Sequence, residues 1–497
     1  MKNRKIIFIT TSLLFSILFY NQSAGLNYLL FSVLIVTTSV ILKPKLLKHL
    51  NWCLIAIGTL FSGFFVMYLG NSFAIILNII SLLLISSLFF KSEASLPMSI
   101  LHSTISHICS PIFMFFTTQK TNQIHEKRHM KKDRICKKII LGFIIIIISI
   151  LFLQFYREMN AVFYDLTKNM FDFISWGIIF FFIFSLLLLF PFFYNQRILN
   201  QLFIKDRRAG KTLISENLQQ YDKTKVGILL GFKNEQITGI ILLSLLNLML
   251  FFVNTLDFNV LFLQGVLPKG VTFSEYVHDG ITILIFSIIF SISIILFLFR
   301  GHNNFGNSSI PLKILTYLWI IQNIIVVLFT MYKNGMYVTI YGLTFKRIGV
   351  FYYLLLSIIG LLVTTFKIYL KKQNWYLFKT NAIIFYSILC MSSSINWEVF
   401  VTRYNLETGK TKGLEYLYTL GDSNIPTLHS MHIFPRDSNN NIGYDYYKIN
   451  TFLSTYANDY STWQSWCYDN YRIKEYILKN IITSENKQKI KIIQTIK

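Results

Sequence analysis

His102, His107 and Cys109 stand in an H-x4-H-x-C run, and histidine with cysteine at short spacing is the donor set that zinc takes. A spacing of five does not stack two side chains on one helical face as three or four would, and Glu93 is the nearest carboxylate. No metal and no cofactor is therefore expected, and the histidines read as interfacial side chains. Glu275, Asp279, Arg347 and Glu398 are of the types that act on a lipid-linked substrate, yet spacing pairs none of them as acid and base. Neither a phosphate-binding glycine loop nor a nucleophile elbow nor an HExxH helix occurs, so no catalytic residue is assigned. The remaining polar groups of note are amides: Asn78, Gln154, Asn247, Gln322 and Asn323, all set in apolar runs. In hydrocarbon each needs a partner, and hydrogen bonding between helices is the ordinary answer, worth about 0.6–2 kcal/mol apiece. Asn247, Gln322 and Asn323 are also the candidate lining of a pathway.

The elements that carry these groups are long and apolar. Crossing a bilayer takes about 20 mostly apolar helical residues, because the hydrocarbon core is about 30 Å thick. Roughly eleven runs reach that length: 5–21, 26–42, 52–69, 73–90, 139–155, 174–194, 236–256, 281–299, 313–331, 348–366 and 381–399. They lack the period-two alternation of barrel strands, and backbone groups in lipid must be satisfied within the segment, so they are predicted to be helices. The expected fold is an all-α membrane protein with residues 1–399 as a polytopic domain. The first run follows Lys2, Arg4 and Lys5 and is read as a retained signal anchor, since another apolar helix follows at once.

A formal charge of +24 is compatible with nucleic-acid binding, but position argues against it. With the N-terminus in the cytoplasm, the inner gaps and the start of the chain together hold 29 Lys/Arg against 7 Asp/Glu and the outer gaps 6 against 6. That is the positive-inside asymmetry, so the charge is topology and no nucleic-acid partner is expected. Two inner segments interrupt the pattern. Residues 93–118 read as a helix lying on or dipping into the cytoplasmic face. Residues 195–235 read as a solvated loop whose Lys205-Asp206-Arg207-Arg208 suits anionic lipid headgroups. The five cysteines are scattered, and only Cys467 clearly falls outside by this topology, so no disulfide framework is available.

Between the seventh and eighth runs lies Leu267-Pro268-Lys269-Gly270-Val271-Thr272-Phe273-Ser274-Glu275-Tyr276, a Pro-Gly turn followed by an acidic helix start. Farther on, Tyr337 and Tyr341 share a face in an outer gap, Gly342 permits a turn, and Thr344 and Arg347 lead into the next helix. The tail, residues 400–497, is Tyr-rich and nearly charge-balanced, with Leu414 to Leu420 and Tyr446 to Ile477 expected to be helical. An odd number of crossings puts it outside as a small, mostly helical extracytoplasmic domain. Trp463, Trp466, Tyr468 and Tyr471 form an aromatic cluster suited to core packing or interface anchoring.

The LPxGxTxxEY segment at 267–276, the YxxxYGLTxxR segment at 337–347, and Asn396 followed by Arg403 and Asn405 carry a resemblance. With Leu-Gly-Asp-Ser-Asn-Ile-Pro at 420–426 and Trp463-Gln464-Ser465-Trp466, they resemble an uncharacterised bacterial family of multi-pass membrane proteins, a domain of unknown function, over roughly 236–470. That resemblance implies a polytopic protein of the bacterial cytoplasmic membrane and assigns no catalytic residue. It makes Glu275, Tyr276, Tyr337, Tyr341, Gly342, Thr344, Arg347, Asn396, Arg403 and Asn405 the candidate functional positions.

Three classes of function remain. A non-enzymatic envelope sensor or scaffold would meet an envelope protein through the C-terminal domain. A transporter or lipid-moving protein would use the amide-bearing helices. A membrane enzyme would act on a lipid-linked substrate at the outer face. Membrane lipids are partners under all three.

Overall fold

The computed structural model describes residues 2–110, 176–194, 200–208, 232–263, 273–299, 309–409, 414–431 and 444–481. Among these residues the regular elements are all helical and no strand occurs. The first half supplies α1 (Lys2–Phe19), α2 (Leu26–Leu42), α3 (Leu50–Leu69), α4 (Ser72–Phe90), α5 (Leu96–Ile108), α6 (Trp176–Phe193) and α7 (Asn200–Arg208). The second supplies α8 (Phe232–Phe262), α9 (Phe273–Leu298), α10 (Ile310–Tyr341), α11 (Phe345–Tyr369), α12 (Asn374–Ser393) and α13 (Trp397–Glu407). Short helices complete the described chain: α14 (Leu414–Thr419), α15 (Ile425–Ser430), α16 (Tyr444–Asp459) and α17 (Tyr468–Tyr476).

Five described helices (α3, α4, Gln236–Phe262 within α8, α10 and α11) are long and apolar enough to cross a membrane, and α12 with α13 makes a sixth if that bent pair is one span. Leu26–Leu42, Gly177–Phe193 and Phe286–Leu298 are apolar but shorter. On α8 the side chains of Ile241, Leu245, Met249, Phe252 and Leu256 point away from the protein, as a lipid-facing surface requires. This is the architecture of a multi-pass membrane protein. The predicted run 139–155 lies outside the described residues.

Two bundles share the apolar core. In the first, α1 packs on α6, and α2, α3 and α4 pack on one another around Phe31, Trp52, Ile55 and Leu88. In the second, α8, α9, α10 and α11 surround Leu243, Phe299, Leu312 and Leu361. α12 joins them, packing on α11 and also on α3, α4 and α5. Its Tyr386 hydroxyl lies 2.7 Å from Ser81 Oγ, above the bare backbone of Gly58, where any Cβ would strike the ring. Small residues permit such close helix approach in lipid.

Several expectations are corrected here. The run 381–399 is not one helix: α12 ends at Ser393, the chain bends by 66°, and α13 starts at Trp397. Asn396 is the physical cause of the restart, since its Oδ1 accepts the Val399 N–H and caps α13. Tyr337 and Tyr341 lie within α10 rather than in a gap, because that helix runs on to Tyr341. Residues 200–208 form α7 instead of solvated loop, and its Asp206 is buried. In the tail the helical stretch expected over 446–477 breaks between Asp459 and Tyr468.

Candidate functional site

The loops at one end of the helices gather under a cap made from α13 to α17. Gly342 ends α10 with φ 83°, a conformation that favours glycine, and Thr344 caps α11 by accepting the Arg347 N–H at 3.4 Å. Arg347 folds back over this turn. Its guanidinium donates to the Tyr341 carbonyl at 3.0 Å and to the Gly342 carbonyl, and its carbon sits 4.3 Å from the Tyr337 ring centroid. Asn405 of α13 grips the following residue: Oδ1 accepts the Leu343 N–H at 2.6 Å and Nδ2 donates to the Leu343 carbonyl at 2.8 Å. Tyr416 adds its hydroxyl, which accepts the Phe345 N–H at 3.0 Å. Apolar contacts among Val338, Leu343, Val401, Leu417, Leu420 and Leu428 fill the space between.

An ionisable cluster lies at the centre of the cap. Lys448 Nζ donates to the carbonyls of Leu420 at 2.9 Å and Gly421 at 3.2 Å and to Asn424 Oδ1 at 2.9 Å. The amide of Asn424, fully buried, donates in turn to Thr402 Oγ1 at 3.0 Å and the Leu417 carbonyl at 2.8 Å. Glu398 accepts from the N–H and hydroxyl of Ser423 and lies against Gly421, where any Cβ would overlap its carboxylate. Burial pushes the Glu398 carboxyl above its usual range, while the Lys448 charge and the Ser423 donors pull the other way. Burial raises Asp422 likewise against the pull of Lys448, and lowers Lys448 itself against the attraction of both carboxylates. Glu398 and Lys448 have their donors and acceptors in place among the described residues, so these two groups position the 420–426 segment.

The tail also reaches the first hairpin. The Leu26 and Asn27 N–H groups donate to the carbonyls of Trp466 and Gln464, both at 2.9 Å. Ser465 Oγ accepts the Ser23 N–H at 2.9 Å, and Thr462 donates to Gln22. Gly25 makes this possible, since a Cβ there would lie 2.5 Å from the Ser465 carbonyl oxygen. Nearby, Asn396 Nδ2 donates to Asp469 at 3.2 Å, and Arg472 holds the same carboxylate at 2.7 Å.

The structure thus brings together Tyr337, Tyr341, Gly342, Thr344, Arg347 and Asn405, and joins Asn396 to the tail. Arg403 is exposed on α13. Glu275 and Tyr276 fall in the first turn of α9, and their side chains lie outside those described. Asn247, Gln322 and Asn323 sit elsewhere, between α8, α9 and α10. Gln322 Nε2 donates to Asn247 Oδ1 at 3.1 Å, and Ser291 donates to Asn323 Oδ1 at 3.2 Å. Asn247 and Asn254, seven apart on α8, donate to the Leu315 and Gln322 carbonyls, seven apart on α10, so these two helices run parallel in a fixed register.

Sequence reasoning missed three polar nodes. Lys333 of α10 pairs with Asp257 of α8 at 2.8 Å, because both helices outrun their predicted ends. Asp206 takes the Ser95 N–H at 2.9 Å, the Ser95 hydroxyl at 2.7 Å and the Trp375 indole at 2.6 Å, with Lys379 at 3.3 Å. Burial alone would raise that carboxyl, but these donors and the Lys379 charge hold it below its ordinary value. His102 is buried against Ser87 at 3.0 Å, and His107 bonds the Ser103 carbonyl. Among the described residues no group of three metal-ligating side chains converges.

No curated protein and no solved structure matches the chain. A family model does, over residues 9–431, which takes in both bundles and the 420–426 segment and stops short of Trp463-Gln464-Ser465-Trp466. Its reach into α1 exceeds the resemblance drawn from residue 236 onward. On that match the chain belongs to the family described as Domain of unknown function (DUF4153).

Proposed function

We propose that this chain is a non-enzymatic sensor or scaffold of the bacterial cell envelope, set in the cytoplasmic membrane with its N-terminus inside and its cap outside. One observation carries this reading: the 337–347 turn, Asn405 and the 420–426 segment converge in a cap whose Arg347, Glu398 and Lys448 are engaged internally. Such a cap holds a shape. Its outer surface offers Arg403, Phe400, Trp463, Tyr468 and Tyr471, the side-chain types that dominate protein interfaces. Basic residues at the opposite helix ends support the orientation.

Transport through the second bundle is the alternative, favoured by the Lys333–Asp257 pair and by the buried Gln322 Oε1 and Asn254 Oδ1, which have no hydrogen-bond partner among the described residues. Complementation of a deletion strain separates the two. Arg403→Ala with Trp463→Ala, at normal abundance, is expected to abolish rescue, while Asn247→Leu at normal abundance retains it. The reverse outcome would replace the scaffold reading by the pathway.

A further inference from the structure

At the end of the helices opposite the cap, two cations face one aromatic ring. The Arg4 guanidinium carbon, in the first turn of α1, lies 5.6 Å from the Phe89 centroid, and Lys43 Nζ, just past α2, lies 5.9 Å from it. Arg4 is also 5.3 Å from the Phe90 centroid. The ring faces offset part of the repulsion between the two charges, but they do not neutralise it. Lys43 donates one N–H to the Phe89 carbonyl at 3.0 Å. Arg4 Nε is buried and makes no hydrogen bond among the described residues. Tyr194, just past α6, stands beside Arg4. The carboxylates described at this end are Glu93 and Asp206, and Asp206 is already taken by Ser95, Trp375 and Lys379.

Phe90 is also one wall of a pocket of about 430 Å³ lined as well by Phe203, Ile204, Lys91 and the two carboxylates Glu93 and Asp206. The ends of α1, α2 and α4 meet here, which is headgroup depth for helices that cross a bilayer. Two cations against one aromatic ring, one with a buried, unused guanidinium donor, suit a tetrahedral oxyanion, which arginine binds through its planar fork. The apolar part of the pocket wall, Phe90, Phe203 and Ile204, suits the upper chain of a lipid, and its polar part, which includes Lys91 and Ser92, suits the glycerol.

We propose that Arg4 and Lys43 form a binding site for a phosphate group, carried on an anionic phospholipid or supplied as free phosphate. The full chain in nanodiscs of phosphatidylcholine mixed with phosphatidylglycerol, released and weighed by native mass spectrometry, is expected to retain phosphatidylglycerol preferentially. Arg4→Gln with Lys43→Gln should reduce that preference several-fold, and Arg4→Lys with Lys43→Arg should keep it. Lys45→Gln with Lys48→Gln removes the same charge from exposed positions and should change little. For free phosphate, inorganic phosphate should protect Arg4 of the detergent-solubilised chain from phenylglyoxal. Retention lost on Arg4 and Lys43 exchange supports the lipid source, and protection without retention supports the free ion. Neither effect, or equal loss from the Lys45 and Lys48 exchange, overturns the site.

Discussion

Asn405 reads the backbone of Leu343 from both sides, accepting its N–H at 2.6 Å and donating to its carbonyl at 2.8 Å, across 62 positions of sequence. A side-chain amide here does what a neighbouring strand does in a sheet. It therefore fixes the turn after α10 without regard to which side chain occupies it.

Replacing Asn405 by Ala strands a buried N–H and a buried carbonyl, each worth about 1–3 kcal/mol when left unpaired. The expected result is a lower unfolding temperature in detergent and reduced abundance, with Asn405→Asp, which keeps only the acceptor, also below wild type. An unchanged melting temperature for Asn405→Ala would show that water or another group replaces the clamp.

Gly421 has φ −62°, open to any residue, so its importance lies in space alone. Gly421→Ala should destabilise the cap by driving a methyl into the Glu398 carboxylate. Adding Glu398→Ala should recover much of the loss, because the two changes share one contact and cannot add independently. Simple additivity in the melting temperatures would refute the contact.

The cap should weaken as the medium becomes less acidic. Glu398 has its folded pKa raised by burial above the ordinary 4.5, so the folded chain holds that proton more tightly than the unfolded one. Its stabilising contribution is full below the ordinary value and lost as pH climbs through the raised one. Asp422, raised in the same way, acts in the same sense. Melting curves for wild type and Glu398→Gln across this window should converge at acid pH, with the wild type falling away above it. Parallel curves would contradict the direction of the shift.

Cys467 is buried beside Gly70, and burial pushes its thiol up to about 11. At neutral pH it should stay silent toward thiol reagents, since the thiolate is the reactive form. Ser461→Cys, exposed in the tail, should then label in intact cells with an impermeant maleimide, and Lys48→Cys should label only after lysis. Labelling of Lys48→Cys in intact cells would invert the proposed orientation.

Helix positions were legible because apolar length is a local property: α2, α3 and α4 fall within a few residues of their predicted bounds. The far ends of α8 and α10 were not. Lys333, Asn334 and Gly335 look like a gap, but Lys333 finds Asp257 on a parallel neighbour, and that pairing lets both helices continue. Asp206 failed for the same reason. Its partners come from positions 95, 375 and 379, and no window of sequence contains them together. In the candidate site the residue types were visible and the turn at Gly342 was expected. What Asn405, Asn424 and Lys448 hold was invisible, since each bonds backbone groups, which any sequence supplies.

The pairing of Ser465 with Ser23 spans 442 positions, so the first hairpin enters the lipid long before its counterpart has been translated. At roughly 5–20 residues per second, the ribosome needs on the order of 20–90 s to deliver it. Throughout that interval the 20–27 loop waits with Gly25 uncovered, and any nascent chain stalled short of residue 466 presents an unfinished edge to the quality-control machinery of the cell.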